Sequence, residues 1–96
     1  MMEKLTQEQI DTALESLPEW TQTGDAFQRT LNFPDFVSSI AFVNRVADLA
    51  EQIQHHPDIL VRYSKVTLTI STHDAGGITE KDVGFAEAVD RLMATC

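Results

Sequence analysis

The chain contains little of what marks extracellular, fibrous or membrane proteins. Its 96 residues include one cysteine, four glycines and three prolines. The lone cysteine, Cys96, excludes an intramolecular disulfide and gives no support for an oxidising compartment. No apolar run approaches the length of a membrane-spanning helix, and the first residues lack the basic and apolar regions of a signal peptide. We therefore expect a cytoplasmic protein with no membrane segment.

Basic residues are also scarce. Seven Lys and Arg stand against fifteen Asp and Glu, which gives a net charge of −8, and the seven are scattered along the chain. Without a basic patch, the main source of affinity for nucleic acids and anionic membranes is missing, so we expect neither as a direct partner. No nucleophile elbow and no phosphate-binding glycine motif occur, so covalent catalysis and nucleotide binding gain no support.

The composition is otherwise that of a single domain over residues 1–96. Hydrophobic residues make up 43% of the chain and charged residues 23%, which are ordinary values for a compact protein. A chain of this length buries only a small core, and its stability margin is correspondingly narrow. Association between copies would widen that margin, and we expect a homo-oligomer.

Hydrophobic periodicity predicts seven secondary-structure elements. Capping residues at Thr6, Asp35 and Thr79 open three helices. Two stretches of alternating apolar and polar residues, 19–33 and 59–72, each predict a β-hairpin. The order α-β-β-α-β-β-α predicts an α+β fold, in which a four-stranded antiparallel sheet carries helices packed on one face.

The second predicted helix is apolar on more than one face. Phe36, Ile40 and Val43 form one stripe, and Phe42 and Val46 widen it. A helix of this kind contacts the sheet and a second surface, which is either another helix or another subunit.

All three histidines lie at the ends of predicted elements, where functional sites often occur. His55 and His56 lie where the long helix gives way to a strand, and His73 lies where the last strand meets a glycine-rich, flexible loop. Because Pro57 forces extended geometry on His56, the rings of His55 and His56 should diverge. Imidazoles exchange protons near neutral pH, so several around one ligand suit acid–base catalysis.

The histidines also allow a structural and a metal-binding interpretation, and Trp20 allows two interpretations. A lone histidine is often a structural residue. Three histidines with Glu51 or Asp58 would also offer the donors of a metal site, although adjacent histidines converge poorly on one ion. Trp20 either packs in the core or forms a stacking wall for a planar ligand.

Together these residues resemble the signature of the pterin-4a-carbinolamine dehydratases. The match runs over residues 51–82, and the predicted element order extends it over nearly the whole chain. A His-His-Pro and a Ser-Thr-His, both at predicted element ends, make the resemblance specific. It is carried by Glu51-Gln52-Ile53-Gln54-His55-His56-Pro57, Tyr63, Ser71-Thr72-His73, Gly77, Thr79 and Asp82.

The resemblance implies an α+β protein that works as a dimer or tetramer, without metal or bound cofactor. Members of the family remove water from a 4a-hydroxytetrahydropterin and release the quinonoid dihydropterin. The reaction recycles the pterin spent by aromatic amino-acid hydroxylases, which implies a functional link to such an enzyme. Some animal relatives also bind a dimeric transcription factor as coactivators, so a non-enzymatic interaction module is the alternative.

The resemblance also assigns the site. It implies catalytic roles for His55, His56 and His73. We hypothesise that His56 and His73 transfer protons and that His55 binds and orients the substrate. Trp20 would lie near the pterin ring, and Glu51 and Pro57 would support the loop. The implied substrate-binding residues are Trp20, Glu51, Gln54, Pro57, Ser71, Thr72 and Asp74.

Gln54 departs from the family pattern, since animal members carry an acidic residue just before the histidine pair. An amide cannot hold a charged histidine as an ionised partner does. Glu51 lies four residues before His55 and would share a helix face with it. We predict that Glu51 supplies the missing charge to His55.

Overall fold

The computed structural model describes residues 3–94 and confirms the predicted order of elements. Three helices and four strands alternate as α-β-β-α-β-β-α, with a short 3-10 turn after the last strand. Cys96, on which the disulfide argument depends, lies outside the described residues. The elements are α1 Gln7–Glu15, β1 Thr21–Thr23, β2 Ala26–Asn32, α2 Phe36–Ile53, β3 Asp58–Arg62, β4 Lys65–Ile70, the 3-10 turn His73–Ala75 and α3 Glu80–Ala94.

The predicted helix caps are present as hydrogen bonds. Thr6 Oγ1 accepts from the backbone N–H of Gln9, and the Gln9 side chain accepts from the backbone N–H of Thr6, at 3.1 and 2.8 Å. Asp35 Oδ1 accepts from the backbone N–H of Ser38 at 2.8 Å. These bonds satisfy N–H groups that the first turn of a helix leaves without partners. The bond from the Ser38 backbone lowers the pKa of the Asp35 carboxyl below its usual value.

The four strands form one antiparallel sheet in the order β1-β2-β4-β3. Strand β4 lies in the interior and pairs with β2 from Phe27↔Ile70 onward and with β3 from Asp58↔Thr69 onward. The first residues of β3 and the last residues of β4 therefore lie side by side at one end of the strands. Residues just before β3 and just after β4 are brought together there.

The core lies between one face of the sheet and the helices. Strand β4 alternates as predicted, because Val66, Leu68 and Ile70 are fully buried while the residues between them are not. Other buried apolar side chains come from all three helices and from β2. On α2, some apolar side chains do not pack in the core: Phe36 and Val37 remain 48% and 75% exposed in the single chain.

Helix α2 ends at Ile53, just before the histidine pair. Gln54 follows it in the left-handed region at φ 55°, and the backbone N–H groups of both Gln54 and His55 donate to Ala50 O. This is the usual way in which a chain leaves a helix, although glycine is the common residue there. His55 therefore lies beyond the helix and does not continue its face.

Candidate functional site

The candidate catalytic and binding residues lie together at the end of the sheet where β3 begins and β4 ends. The end of α2 and the start of α3 close the same region. Together they form a cavity of about 250 Å³. Its lining consists of Gln54, His55, His56, Ser71, Thr72, His73, Asp74 and Lys81.

His55 forms a buried pair with a carboxylate. Its Nε2 lies 2.6 Å from Asp82 Oδ1, and the two side chains are 12% and 0% exposed. Since a carboxylate oxygen accepts, Nε2 carries the hydrogen and Nδ1 is left for other contacts. The carboxylate also compensates any positive charge that the ring acquires when it takes a second proton.

Asp82 is itself held by two further hydrogen bonds, and their donors Thr72 and Thr79 also contact each other. Its Oδ2 accepts from Thr72 Oγ1 at 2.9 Å and from the backbone N–H of Thr79 at 2.8 Å, and the two threonine hydroxyls lie 2.8 Å apart. A carboxylate completely removed from water is stable only when its lone pairs are satisfied in this way. The network fixes the carboxylate, and through it the ring of His55.

The sequence places Asp82 at this point because it is a helix-capping residue. It occupies the third position of α3, where its side chain reaches back to the backbone N–H of Thr79. Thr79 Oγ1 in turn accepts from the backbone N–H of Lys81 at 3.2 Å. One oxygen of Asp82 closes the cap, and the other is free to meet His55.

His56 forms the second pair, with Glu51, and this pair is exposed. Its Nε2 lies 2.6 Å from Glu51 Oε2, and the side chains are 57% and 73% exposed. The expected divergence of the two rings is confirmed, since each turns to a different carboxylate. The predicted partnership of Glu51 with His55 is wrong: α2 ends at Ile53, so His55 leaves the face on which Glu51 lies.

His73 approaches the cavity from the other side, at the start of the 3-10 turn. The segment was expected to be a flexible loop, but it is held by a bridge between Thr72 and Gly77 and by hydrogen bonds from Ala75 and Gly76 to Thr72 O. His73 is exposed, and within the described chain no hydrogen bond of its ring is found. Its ring is therefore open to a ligand.

The structure gathers most of the residues predicted for the site. Gln54, His55, His56, Ser71, Thr72, His73 and Asp74 all line the cavity. Glu51 lies outside the lining and contacts it through His56, and Pro57 lies between His56 and the start of β3. The supporting role predicted for the two residues stays a prediction.

The structure does not place Trp20 in the cavity. Trp20 is 3% exposed, belongs to the hydrophobic core, and donates from Nε1 to Asp90 Oδ1 at 2.8 Å. The same oxygen lies 2.7 Å from an Arg29 nitrogen. Of the two interpretations of Trp20, core packing is the one that this chain adopts, because α3 covers the indole and Asp90 satisfies its N–H.

Two residues of the site were not predicted to act there, Asp82 and Lys81. Asp82 was noted only as one residue of the family signature, without a role in the site. Its place at the capping position of α3, where Glu or Gln is more usual, is the signal that could have indicated a further role. Lys81 lies one residue before it, with no sequence pattern that separates it from a solvated lysine.

Residues 3–94 contain neither a candidate metal cluster nor a candidate membrane-spanning helix. In residues 3–94, the structure brings no three His, Cys, Asp or Glu side chains into an arrangement that could hold a metal ion. In the same residues, no helix is long and apolar enough to cross a membrane.

Comparison with known sequences gives matches along the whole fold. A family model described as "Pterin 4 alpha carbinolamine dehydratase" matches residues 3–92. A protein of Thermosynechococcus vestitus, provisionally named a pterin-4-alpha-carbinolamine dehydratase, is 47% identical over 92 residues, 96% of this chain and 97% of that protein. A Nocardia farcinica protein with the same provisional name is 50% identical over 90 residues, 94% and 95% of the two chains.

Solved structures share the architecture as well. A transcriptional coactivator/pterin dehydratase from Brucella melitensis aligns with a TM-score of 0.87 at 31% identity, covering 92% of this chain and 96% of that one. A pterin dehydratase-like protein identified as a RuBisCO assembly factor in the alpha-carboxysome aligns with a TM-score of 0.62 at 24% identity, covering 76% and 84%. The second likeness is one of fold alone.

Proposed function

Because the chain belongs to the pterin 4 alpha carbinolamine dehydratase family, we propose that it dehydrates a 4a-hydroxytetrahydropterin to the quinonoid dihydropterin. The observation that carries the proposal is the cavity in which three histidines meet, one of them bound to a buried carboxylate. The reaction needs one group that gives a proton and one that takes a proton, and imidazoles serve in both roles.

The dehydration balances without any further reactant. The bond between C4a and the hydroxyl oxygen breaks, and an acid protonates that oxygen so that it leaves as water. A base removes the proton from N5, and the electrons of the N5–H bond form the new C4a=N5 double bond. No oxidant or reductant takes part. Before the next turnover, the acid regains a proton from solvent and the base releases its proton to solvent.

The geometry favours His55 as the base. Asp82 holds the His55 ring by Nε2, directs Nδ1 away from itself, and compensates the positive charge that the ring gains with the N5 proton. His73, open on the opposite wall, is then the acid for the leaving hydroxyl. His56 is held by an exposed glutamate and binds the substrate. This assignment exchanges the roles hypothesised from the sequence for His55 and His56.

The rest of the lining suits the polar edge of a pterin. A pterin presents ring N–H groups, an amino group and a carbonyl oxygen. Gln54, Ser71 and Asp74 supply both acceptors and donors around the cavity. Hydrogen bonds of this kind orient a flat ring so that C4a and N5 face the histidines.

The proposal is tested by stopped-flow ultraviolet absorbance of a freshly generated 4a-hydroxytetrahydropterin. Decay is compared in buffer, with the protein, and with its His55→Ala, His56→Ala and His73→Ala variants. Gln52→Ala is the control, since Gln52 is an exposed residue of α2 outside the cavity lining. The expected result is accelerated decay that Gln52→Ala preserves and that His55→Ala and His73→Ala reduce most. Decay no faster than in buffer would overturn the proposal.

The wider setting of the reaction is part of the same proposal. A cytoplasmic location is inferred from the composition, and a dimer or tetramer and a functional link to an aromatic amino-acid hydroxylase are inferred from the family resemblance. The exposed apolar side chains of α2, among them Phe36 and Val37, support self-association.

An interaction module is the second candidate function. It is favoured by the name of the Brucella melitensis structure, which includes a transcriptional coactivator, and by the exposed apolar residues of α2. Size-exclusion chromatography of the His56→Ala variant separates the two candidates. A raised KM for the dehydration with unchanged assembly would place His56 at a substrate site, whereas unchanged kinetics would remove His56 from the site.

A further inference from the structure

A second cavity adjoins the proposed catalytic cavity. It also measures about 250 Å³, and it shares two wall residues with the first, His55 and Lys81. We call it the α3 groove, because most of its lining lies along that helix. The lining consists of Ile53, His55, Lys81, Gly84, Phe85, Ala88 and Arg91.

The middle of the α3 groove is lined by apolar residues. Ile53 and Ala88 supply the accessible apolar surface, since Ile53 is 42% exposed and Ala88 is partly exposed, whereas Phe85 is fully buried. Gly84 leaves room at the centre, since a Cβ placed there would meet nothing within 4 Å. The spacing of three and four residues along α3 keeps these positions on one face of the helix. The groove therefore suits a slender ligand with an apolar middle.

Cations stand at both ends of the α3 groove. Lys81 lies where the groove meets the catalytic cavity, and Arg91 lies ten residues later, roughly 15 Å farther along the helix axis. Within residues 3–94, neither side chain forms an ion pair with a carboxylate. The protein as a whole carries a net charge of −8, so two cations in one groove without acidic partners favour an anionic ligand at this place.

We propose that the α3 groove binds the substituent that the substrate carries at C6, and that it selects a long substituent ending in a carboxylate. The inference rests on the proposed function, since it places the pterin ring in the neighbouring cavity. The ring system itself is small, and of its substituents only the one at C6 can be long enough to reach a second cavity. A substituent with an aromatic middle would lie along Ile53 and Ala88, and its terminal carboxylate would meet Arg91.

Binding of stable pterins tests this subsite. The two probes are 6-methyl-7,8-dihydropterin and 7,8-dihydrofolate, which have the same ring and differ at C6 by a p-aminobenzoyl-glutamate arm. Isothermal titration calorimetry gives both dissociation constants. The expected result is tighter binding of 7,8-dihydrofolate by roughly three- to tenfold at low salt, with the ratio falling as salt rises.

Arg91→Gln tests the charge, with Arg62→Gln as the matched control. Both variants remove one arginine, but Arg62 lies on the edge strand β3 and outside the groove. The ratio of the two affinities should fall toward one in Arg91→Gln and stay at the wild-type value in Arg62→Gln. Equal ratios in the two variants would overturn the assignment of Arg91.

Gly84→Leu tests the space. The larger side chain fills the groove, and replacing a helical glycine should not lower the melting temperature, which verifies folding. The preference for 7,8-dihydrofolate should be lost in this variant. A preference that survives would show that the arm lies elsewhere.

The outcomes separate this inference from the proposed function. Binding of both probes with equal affinity overturns the subsite and leaves the dehydratase proposal standing. Failure of both probes to bind overturns the pterin site and the subsite together.

Discussion

Two histidine–carboxylate pairs lie at one cavity. The nitrogen-to-oxygen distance within each pair is the same, but the surroundings of the two pairs differ. The distance is 2.6 Å from His55 Nε2 to Asp82 Oδ1 and 2.6 Å from His56 Nε2 to Glu51 Oε2. The first pair is 12% and 0% exposed, and the second is 57% and 73% exposed. Water screens the exposed pair and competes for its hydrogen bond, whereas the buried pair has no such competitor. Distance alone therefore does not tell how strongly a pair holds its ring.

The surroundings of the carboxylates extend the contrast. Asp82 is bound by Thr72 and Thr79 in addition to His55, so its position is determined by three elements of the fold. Glu51 lies on the exposed side of α2, and within residues 3–94 its carboxylate pairs with His56. The buried pair can position a ring for chemistry, while the exposed pair can adapt to a ligand. The following changes test that difference.

The largest effect is expected from Asp82→Ala. The change leaves the Thr72 hydroxyl, the Thr79 N–H and the His55 ring without their partner inside the protein, which should cost about 3 kcal/mol of unfolding free energy. Urea denaturation followed by circular dichroism measures the loss. Thr12→Ala is a suitable control, because the exposed Thr12 hydroxyl donates to the Glu8 carbonyl within its own helix. A loss for Asp82→Ala no larger than for Thr12→Ala would contradict the account.

The next effect concerns the two histidines as a pair. His55→Ala should lower kcat by roughly 10²- to 10⁴-fold, the usual contribution of a general acid or base. His56→Ala should act mainly on KM, because we assign His56 to binding. Steady-state kinetics of the dehydration separate kcat from KM. The opposite division between the two variants would restore the roles hypothesised from the sequence.

A smaller effect is expected from Glu51→Gln. The exposed pair is screened by solvent, so its loss should change the unfolding free energy by no more than about 0.5 kcal/mol. The change in KM should be modest and should shrink further at high salt. Urea denaturation and kinetics at two salt concentrations provide the check. A stability loss approaching that of Asp82→Ala would remove the contrast between the pairs.

The smallest effect comes from a third carboxylate, Asp35, which is exposed and held by a backbone N–H. Its pKa is lowered in the folded protein because the Ser38 backbone bonds to it. Its stabilising contribution is therefore complete above the pKa of the unfolded chain and is lost as pH falls through the lowered, folded value. Wild type and Asp35→Ala should differ in stability at pH 7 and differ less at pH 3. A difference that is constant over this range would exclude the ionised cap as its cause.

Local patterns predicted the elements because each is determined by nearby residues. The Thr6–Gln9 box, the Asp35 cap and the alternation along β4 all act within a few residues, and all are present. The position of the histidines at element ends likewise followed from Pro57 and from the end of the last strand. The cavity was predictable to the extent that it consists of such ends.

The contacts that decide the chemistry were not predictable in this way. His55 and Asp82 are 27 residues apart, and only the packing of α3 against the end of β4 brings them together. Trp20 and Asp90 are 70 residues apart, and their contact is what fixes the indole in the core. Glu51 was assigned to the wrong histidine because the left-handed residue Gln54 ended the helix early. A single such residue redirects every side chain after it.

The central claim is that the buried pair performs the proton transfer and the exposed pair does not. Single-turnover stopped-flow decay of a 4a-hydroxytetrahydropterin at saturating protein tests it directly, with Asp82→Asn compared with Glu51→Gln. Both changes replace a carboxylate with its amide and keep the size of the side chain. The account predicts a loss of roughly 100-fold or more for Asp82→Asn, because an amide cannot compensate the imidazolium, and a loss within about fivefold for Glu51→Gln. Equal losses in the two variants would contradict it.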